Sequence, residues 1–509
     1  MNKLLLVYLL SFVSLVSTAQ DKNTLAQVGV KQNAIDLKAM KRIGNVDERY
    51  QSFNVEMCEV IGGDFWIPYE LVDSVKKQST KTGFAALKWK IDPINLYEKK
   101  LRKLASALGP TYIRVSGTWA NGVYFQNNDE PALSSPPTGF KNILTRQQWK
   151  GVVDFCKAVD GKLVSSFPIS DGMRDESGTW QPKQVKAILE YTKAMGGEIS
   201  AAEFFNEPSH ASHGDAPKGY TGAQFAQEFA LFKSFVAKAA PNMTIIGPGS
   251  TGEGGILPSG LDLSVDALLS PSPKPTFDVF TYHYYGTVSK RCLGGQKPEL
   301  ALTADWLSKT EKGLDFYQRA RDKYNPGAPI WLTETAETAC GGNPWAVTYI
   351  DSFRYLEQLG RLAKKGVQVV MHNTLARSEY ALLDQDTHNP RPNYWAALLW
   401  NKLMGSQVFD GEQLEPGVDL FVHNSKKWST GKSVLILNTN EKVTSVTIPA
   451  DALQYLLTAD ELLTKKVKLN GTELKLTATD NVPPIQGKPL KKGQVNLPAH
   501  SILFLEFSK

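Results

Sequence analysis

Eight short apolar runs, each followed by a helical pattern, alternate along residues 50–404 and constrain the fold more than any other feature. The runs are 50–56, 111–116, 163–169, 202–206, 244–248, 277–285, 329–334 and 367–373. They are rich in β-branched and aromatic residues and lack the polar–apolar alternation of a half-exposed sheet, so they read as parallel strands covered on both sides. Between them lie helical stripes. Leu101, Leu104, Ala105 and Leu108 form one, stopped by Gly109-Pro110. Val185, Ile188, Leu189 and Met195 form a second, opened by Pro182 and closed by Gly196-Gly197, and Phe225, Phe229, Phe232 and Phe235 line a third. Eight such units predict a (β/α)8 TIM barrel. A doubly wound sheet is the competing α/β arrangement, but no glycine-rich phosphate turn follows any strand.

The texture changes near residue 405. Alternating segments such as Ser433-Val-Leu-Ile-Leu-Asn and Ser501-Ile-Leu-Phe-Leu-Glu-Phe, separated by turn residues, predict a C-terminal β-sandwich. The expected organisation is a signal peptide at 1–19, an N-terminal segment at 20–48 that lends strands to the sandwich, the barrel at 49–404 and the sandwich at 405–509. Lys3, the apolar stretch Leu4–Val16 and Ser17-Thr18-Ala19 have the layout of a cleavable leader, so a secreted or periplasmic protein is expected. That stretch is short for a membrane span. The net charge of +6 is mild and no Lys/Arg run occurs, so no nucleic acid partner is expected. Four cysteines are too few for a disulfide scaffold; Cys292 and Cys340 both follow strand ends and could pair, while Cys58 and Cys156 have no evident partner.

In a barrel of this kind functional groups sit at the C-terminal ends of the strands. Glu207, in Asn206-Glu207-Pro208, is placed at the end of the fourth strand, and Glu334, in Trp331-Leu332-Thr333-Glu334, at the end of the seventh. Two carboxyl groups facing one another across a barrel mouth are what cleavage of a glycosidic bond needs. Burial and the negative partner are expected to raise the Glu207 pKa, so that it can serve as an acid. Alternation turns one of Tyr284 and Tyr285 inward, and Tyr285 is taken as the partner of Glu334. Arg114, on the second strand, needs an anion, which Glu334 can supply. His283 either lines the mouth or is a hydrogen-bonded core histidine. His210 and His213 have a metal-like spacing, but the sequence places no third ligand; no metal or cofactor is expected. Glu337 is a rival to Glu334.

Several motifs resemble glycoside hydrolase family 79, the heparanase and β-glucuronidase family of retaining (β/α)8 glycosidases. They are Tyr282-His283-Tyr284-Tyr285, Glu334-Thr335 with Gly341-Gly342, Glu379-Tyr380-Ala-Leu-Leu-Asp384 leading to Asn393-Tyr394-Trp395, and the tail Leu469-Asn470-Gly471 to Leu497-Pro498-Ala499. The resemblance implies Glu207 as acid/base, Glu334 as nucleophile, Asn206 on the sugar 2-hydroxyl, and Tyr380 with backbone amides near Gly341 on a uronic carboxylate. It implies a glucuronate-containing oligo- or polysaccharide as substrate. Two positions depart from the pattern. Glu56-Met57-Cys58 stands where heparanase-like members carry Asp-x-Asn, which puts Glu56 in the substrate pocket, and Ala339-Cys340 stands where they carry an aromatic. A neutral-sugar β-glycosidase and a non-catalytic glycan-binding relative are the alternatives.

Overall fold

The computed structural model describes residues 33–508 apart from 73, 75–80, 255–259 and 412; the leader expected at 1–19 lies outside the described residues. The eight runs are strands. They are β1 Gln51–Glu56, β2 Thr111–Ser116, β3 Gly161–Ser166, β4 Ile199–Glu203, β5 Thr244–Ser250, β6 Val279–Tyr285, β7 Ile330–Ala336 and β8 Val369–His372. All neighbours pair in parallel and β8 closes onto β1. The C-terminal ends depart most from expectation at β3 and β4, which end three residues earlier than 169 and 206, while β5 and β7 each run two residues beyond 248 and 334. After β4 the apolar Phe204-Phe205 leaves the sheet and packs on Phe225 and Tyr220, with Trp180 edge-on to Phe204. Apolarity there marks packing against a helix, so Asn206 and Glu207 stand on the loop after β4.

Period-two alternation organises the barrel interior in layers. Tyr112, Val164, Ala201, Ile246, Val279, Trp331, Val369 and Met371 form one apolar plug. Two residues further along their strands the inward side chains turn polar: Arg114 follows Tyr112, Glu203 follows Ala201, Thr281 follows Val279 and Asn373 follows Met371. The barrel is therefore greasy at its floor and ionic near its C-terminal mouth.

The expected helices flank the strands, at Lys99–Ala107, Lys183–Ala194 and Gly222–Ala239. The last starts with a reciprocal Thr221–Gln224 capping box. Beyond the barrel lies a nine-stranded sheet. Arg42–Asn45 forms one edge, antiparallel to Met404–Phe409; Val418–Ser425, Lys432–Asn438, Ser501–Phe507 and Ala452–Thr458 follow in order. Phe421, Leu435, Leu437 and Phe504 join the barrel's main core, where a Cβ on Gly360 would fall 2.3 Å from the Phe421 ring. The opposite face, with Leu420, Val434, Ile436 and Leu505, is covered by Ile35, Leu37 and the ribbon Thr444–Ile448 with Gly493–Leu497. The sandwich is thus a broad sheet faced by a two-stranded ribbon. Among the described residues no helix is long and apolar enough to cross a membrane.

Candidate active site

The polar layer converges on Glu334. Arg114 Nη1 donates to Glu334 Oε2 at 2.8 Å, and the Tyr285 hydroxyl donates to Oε1 at 2.6 Å. Glu334 reaches this position through a bulge. Tyr282 pairs with Leu332 but His283 pairs with Glu334, so Thr333 is the extra residue on β7. Thr333 still turns inward, donating to Glu203 at 2.9 Å, and simple alternation would have turned Glu334 out. The bulge re-aims it.

Arg114 is fully buried and holds three groups at once. Besides Glu334 it donates to Glu203 Oε2 at 2.8 Å and to Asn206 Oδ1 at 2.8 Å. Burial opposes ionisation of Glu203, but the Arg114 charge and hydrogen bonds from His283 and Arg114 bring its pKa down to about 2. Glu203 thus stays charged and anchors the guanidinium. Burial, then the charge of Glu334, push the Tyr285 pKa well above the ordinary phenol value, so the phenol keeps its proton and donates.

Glu207 is held differently. Asn121 clamps the loop after β4, accepting from the Asn206 amide at 2.8 Å and donating to the Asn206 carbonyl at 2.9 Å. The next residue, Glu207, has φ 47° and ψ 64°, a left-handed backbone that is strained for a side chain of this kind. Its Oε1 lies 2.9 Å from His283 Nδ1. Burial would raise the Glu207 pKa, but the His283 hydrogen bond and charge outweigh it and lower the pKa. Burial likewise opposes a charge on His283, yet Glu334 and bonds to Glu203 and Glu207 raise that ring to about 9. The expected upward shift of Glu207 is therefore reversed: the histidine two residues before Tyr285 carries the proton for the pair.

Both glutamates line one cavity of about 350 Å³. Carboxylate oxygens of Glu207 and Glu334 lie within 4.8 Å of one another and of a His283 ring nitrogen. Retaining glycosidases hold their two carboxyl groups about 5–5.5 Å apart. The same trio is the one described cluster at metal-ligand spacing, but the Arg114 guanidinium already bonds Glu334, and a second cation there would be repelled. His210 and His213 line the cavity wall and belong to no such cluster.

Asn206, Glu56 and Tyr380 also line the cavity. Asn373 links them, donating to Glu56 Oε1 at 2.9 Å, the Tyr285 oxygen at 3.1 Å and the Tyr380 oxygen at 3.3 Å. Burial, then the charge of Glu334, raise the Glu56 pKa well above the carboxylate range. Its Oε2 has no protein partner, and a Cβ built on Gly117, whose φ is 91°, would lie 1.7 Å from that oxygen. Only glycine leaves room for this carboxyl group.

Three residues expected to contact substrate, Arg114, His283 and Gly341, do not line the cavity. Arg114 and His283 are each 1% exposed and bond Glu334 and Glu207 respectively. Gly341 lies beneath Trp66 and Arg291, 2.8 and 2.6 Å from where its Cβ would be; Ala339 and Cys340 form the wall instead. Glu337 is excluded as a rival. It accepts from Thr338, from the Asn343 amide and from Asn343 Nδ2, and so folds its own loop. Cys340 is disulfide-bonded to Cys292, with Cα atoms 6.4 Å apart, which ties the loop after β7 to the loop after β6; Cys58 and Cys156 are free and buried.

Sequence reasoning missed the cavity's roof. The hairpin Gly63–Trp66 with Lys88–Ile91 pairs Trp66 with Lys88, and both line the cavity together with Trp119. It also missed Asn373 and Glu203. Glu203 carried a signal, being a charge two residues after Ala201 inside an otherwise apolar run.

A closed parallel barrel with two carboxylates meeting at its C-terminal mouth defines a glycoside hydrolase. The comparisons narrow this. The model of glycosyl hydrolase family 79, N-terminal domain, matches residues 32–360, and the chain belongs to that family. Heparanase-like protein 1 of Arabidopsis thaliana is 24% identical, over 91% of each chain. Baicalin-beta-D-glucuronidase of Scutellaria baicalensis is 29% identical, over 81% of this chain and 83% of that protein. Among solved structures, a 4-O-alpha-L-rhamnosyl-beta-D-glucuronidase from Fusarium oxysporum 12S shares the fold at a TM-score of 0.63, with 10% identity over 92% of this chain and 97% of that one.

Proposed function

We propose that the protein is a retaining β-glucuronidase of the heparanase-like type, with Glu334 as nucleophile and Glu207 as acid/base. The observation that carries this reading is the convergence of the two carboxylates within 4.8 Å in one cavity, in a chain whose relatives include a named β-glucuronidase. Arg114 and Tyr285 each donate a hydrogen bond to Glu334 and hold it aimed. As it attacks the anomeric carbon, the bond to the leaving oxygen breaks and that oxygen takes the proton shared by Glu207 and His283. Ester formation removes the Glu334 charge that held the proton on His283. The pair then stands deprotonated and takes a proton from water as that water attacks the anomeric carbon and the bond from that carbon to the Glu334 oxygen breaks. With its Oδ1 held by Arg114, Asn206 has its amide nitrogen left to donate to the 2-hydroxyl. Glu56, kept neutral, and Tyr380 contact the rest of the ring.

Export completes the proposal: the Cys292–Cys340 disulfide is in keeping with an oxidising compartment, secreted or periplasmic. The test is hydrolysis of 4-nitrophenyl β-D-glucuronide beside the glucoside and xyloside. Preference for the glucuronide, lost in Glu334→Gln, is expected. Faster cleavage of a neutral glycoside assigns a neutral-sugar glycosidase, and cleavage of none of them makes the barrel a glycan-binding scaffold.

A further inference from the structure

A cavity carrying the carboxylates of Glu207 and Glu334 repels an anionic sugar unless a further cation faces it. The nearby cations are few. Arg114 is buried behind Glu334 and saturated by Glu203, Glu334 and Asn206. Arg291 is buried and bonds the Cys340 carbonyl, the Ile67 carbonyl and Glu379, tying three loops together. Among the described residues Lys88 is the one lysine or arginine that lines the cavity. Its ammonium sits 5.0 Å from the Trp66 ring centroid and 4.8 Å from that of Trp119. Both indoles rest on the small core of Cys58, Phe65 and Ile91 beneath the hairpin. Indole faces stabilise an ammonium group and fix its position while it is partly withdrawn from water. They also offer flat apolar surface to a sugar ring.

We propose that Lys88, braced between Trp66 and Trp119, recognises the carboxylate of a uronic acid sugar in the cavity. This inference rests on the glucuronide reading and deepens it: the charge that faces the carboxylate comes from the hairpin after β1. The departures of this chain from the heparanase-like pattern fall beside that hairpin, since Cys58 packs under it and Cys340 shares the cavity wall with it.

The experiment compares 4-nitrophenyl β-D-glucuronide with its methyl ester, which has the same ring and no charge, in the native protein, Lys88→Met and Lys88→Arg. The native protein should prefer the acid. In Lys88→Met the KM ratio of ester to acid should shrink by roughly 10- to 100-fold, the value of one charged hydrogen bond, with the change in KM and little in kcat. Lys88→Arg should restore part of the preference. A Lys88→Met variant that keeps the native preference, or loses acid and ester turnover in equal proportion, overturns the role of Lys88 and leaves the glucuronidase reading standing. A native protein with no preference for the acid overturns both.

Discussion

Glu334 and Glu207 face the same cavity but are held by opposite strategies. Glu334 is gripped by a buried guanidinium and a phenol that cannot ionise, on a strand whose bulge exists to present it. Glu207 sits on a left-handed loop residue and bonds a histidine that can give its proton away. The first arrangement fixes a charge; the second keeps a proton in transit. A nucleophile must stay ionised and aimed through the attack, whereas an acid/base must change state twice in every turnover.

The comparison breaks most easily at the carboxylates themselves. Glu334→Gln should lower kcat/KM on every aryl glycoside by on the order of 10⁴-fold or more, whatever the leaving group. Glu207→Gln should match that loss only on poor leaving groups. With a dinitrophenyl leaving group its first step should survive and added azide should restore turnover, and equal responses of the two variants would erase the distinction.

The grip on Glu334 is tested next. Tyr285→Phe removes one donor and should cost about 10²-fold in kcat with KM less affected. Arg114→Met leaves Glu203 and Glu334 buried without their shared cation. Urea unfolding should show a loss of roughly 3–5 kcal/mol, and a variant as stable as the native protein would show that Arg114 is dispensable to the layer.

The Glu207 side is sharpened by pH. His283 retains its proton up to about 9, so native kcat/KM should fall on the alkaline side only as pH approaches that value. In His283→Gln the proton must reside on Glu207 alone, and the alkaline limb should move to lower pH. An unmoved limb would mean that His283 is structural. The smallest effect is expected at Gly117→Ala, whose methyl group would meet Glu56 Oε2 and raise KM about tenfold while kcat holds.

The sequence predicted the barrel well because eight doubly covered strands leave a continuous apolar signature that nothing else in the chain imitates. Arg114 could be paired with Glu334 because a buried cation needs an anion, while alternation allows only one of Tyr284 and Tyr285 to turn inward and the family resemblance pointed to Tyr285. The remainder depends on backbone detail and long-range contact. The Thr333 bulge and the left-handed Glu207 have no residue signature, since neither position is glycine, asparagine or aspartate. The reversal of the Glu207 pKa needs the His283 contact, which joins β6 to the loop after β4. Lys88 and Trp66 sit in a loop with no motif and matter only because their hairpin folds back over the mouth. That Trp66 packs against Gly341 was likewise not legible, because a resemblance in sequence does not report which aromatic side chain covers a loop.

The central claim is that Glu334 forms a covalent bond to the sugar while Glu207 stands across from it. Incubation with a 2-deoxy-2-fluoro glucuronosyl fluoride, followed by peptide mass spectrometry, tests it most directly. The account predicts a slow-turnover adduct on the peptide that carries Glu334, and a β-configured first product from the ordinary substrate. An adduct on another residue, or an α-configured first product, would contradict it.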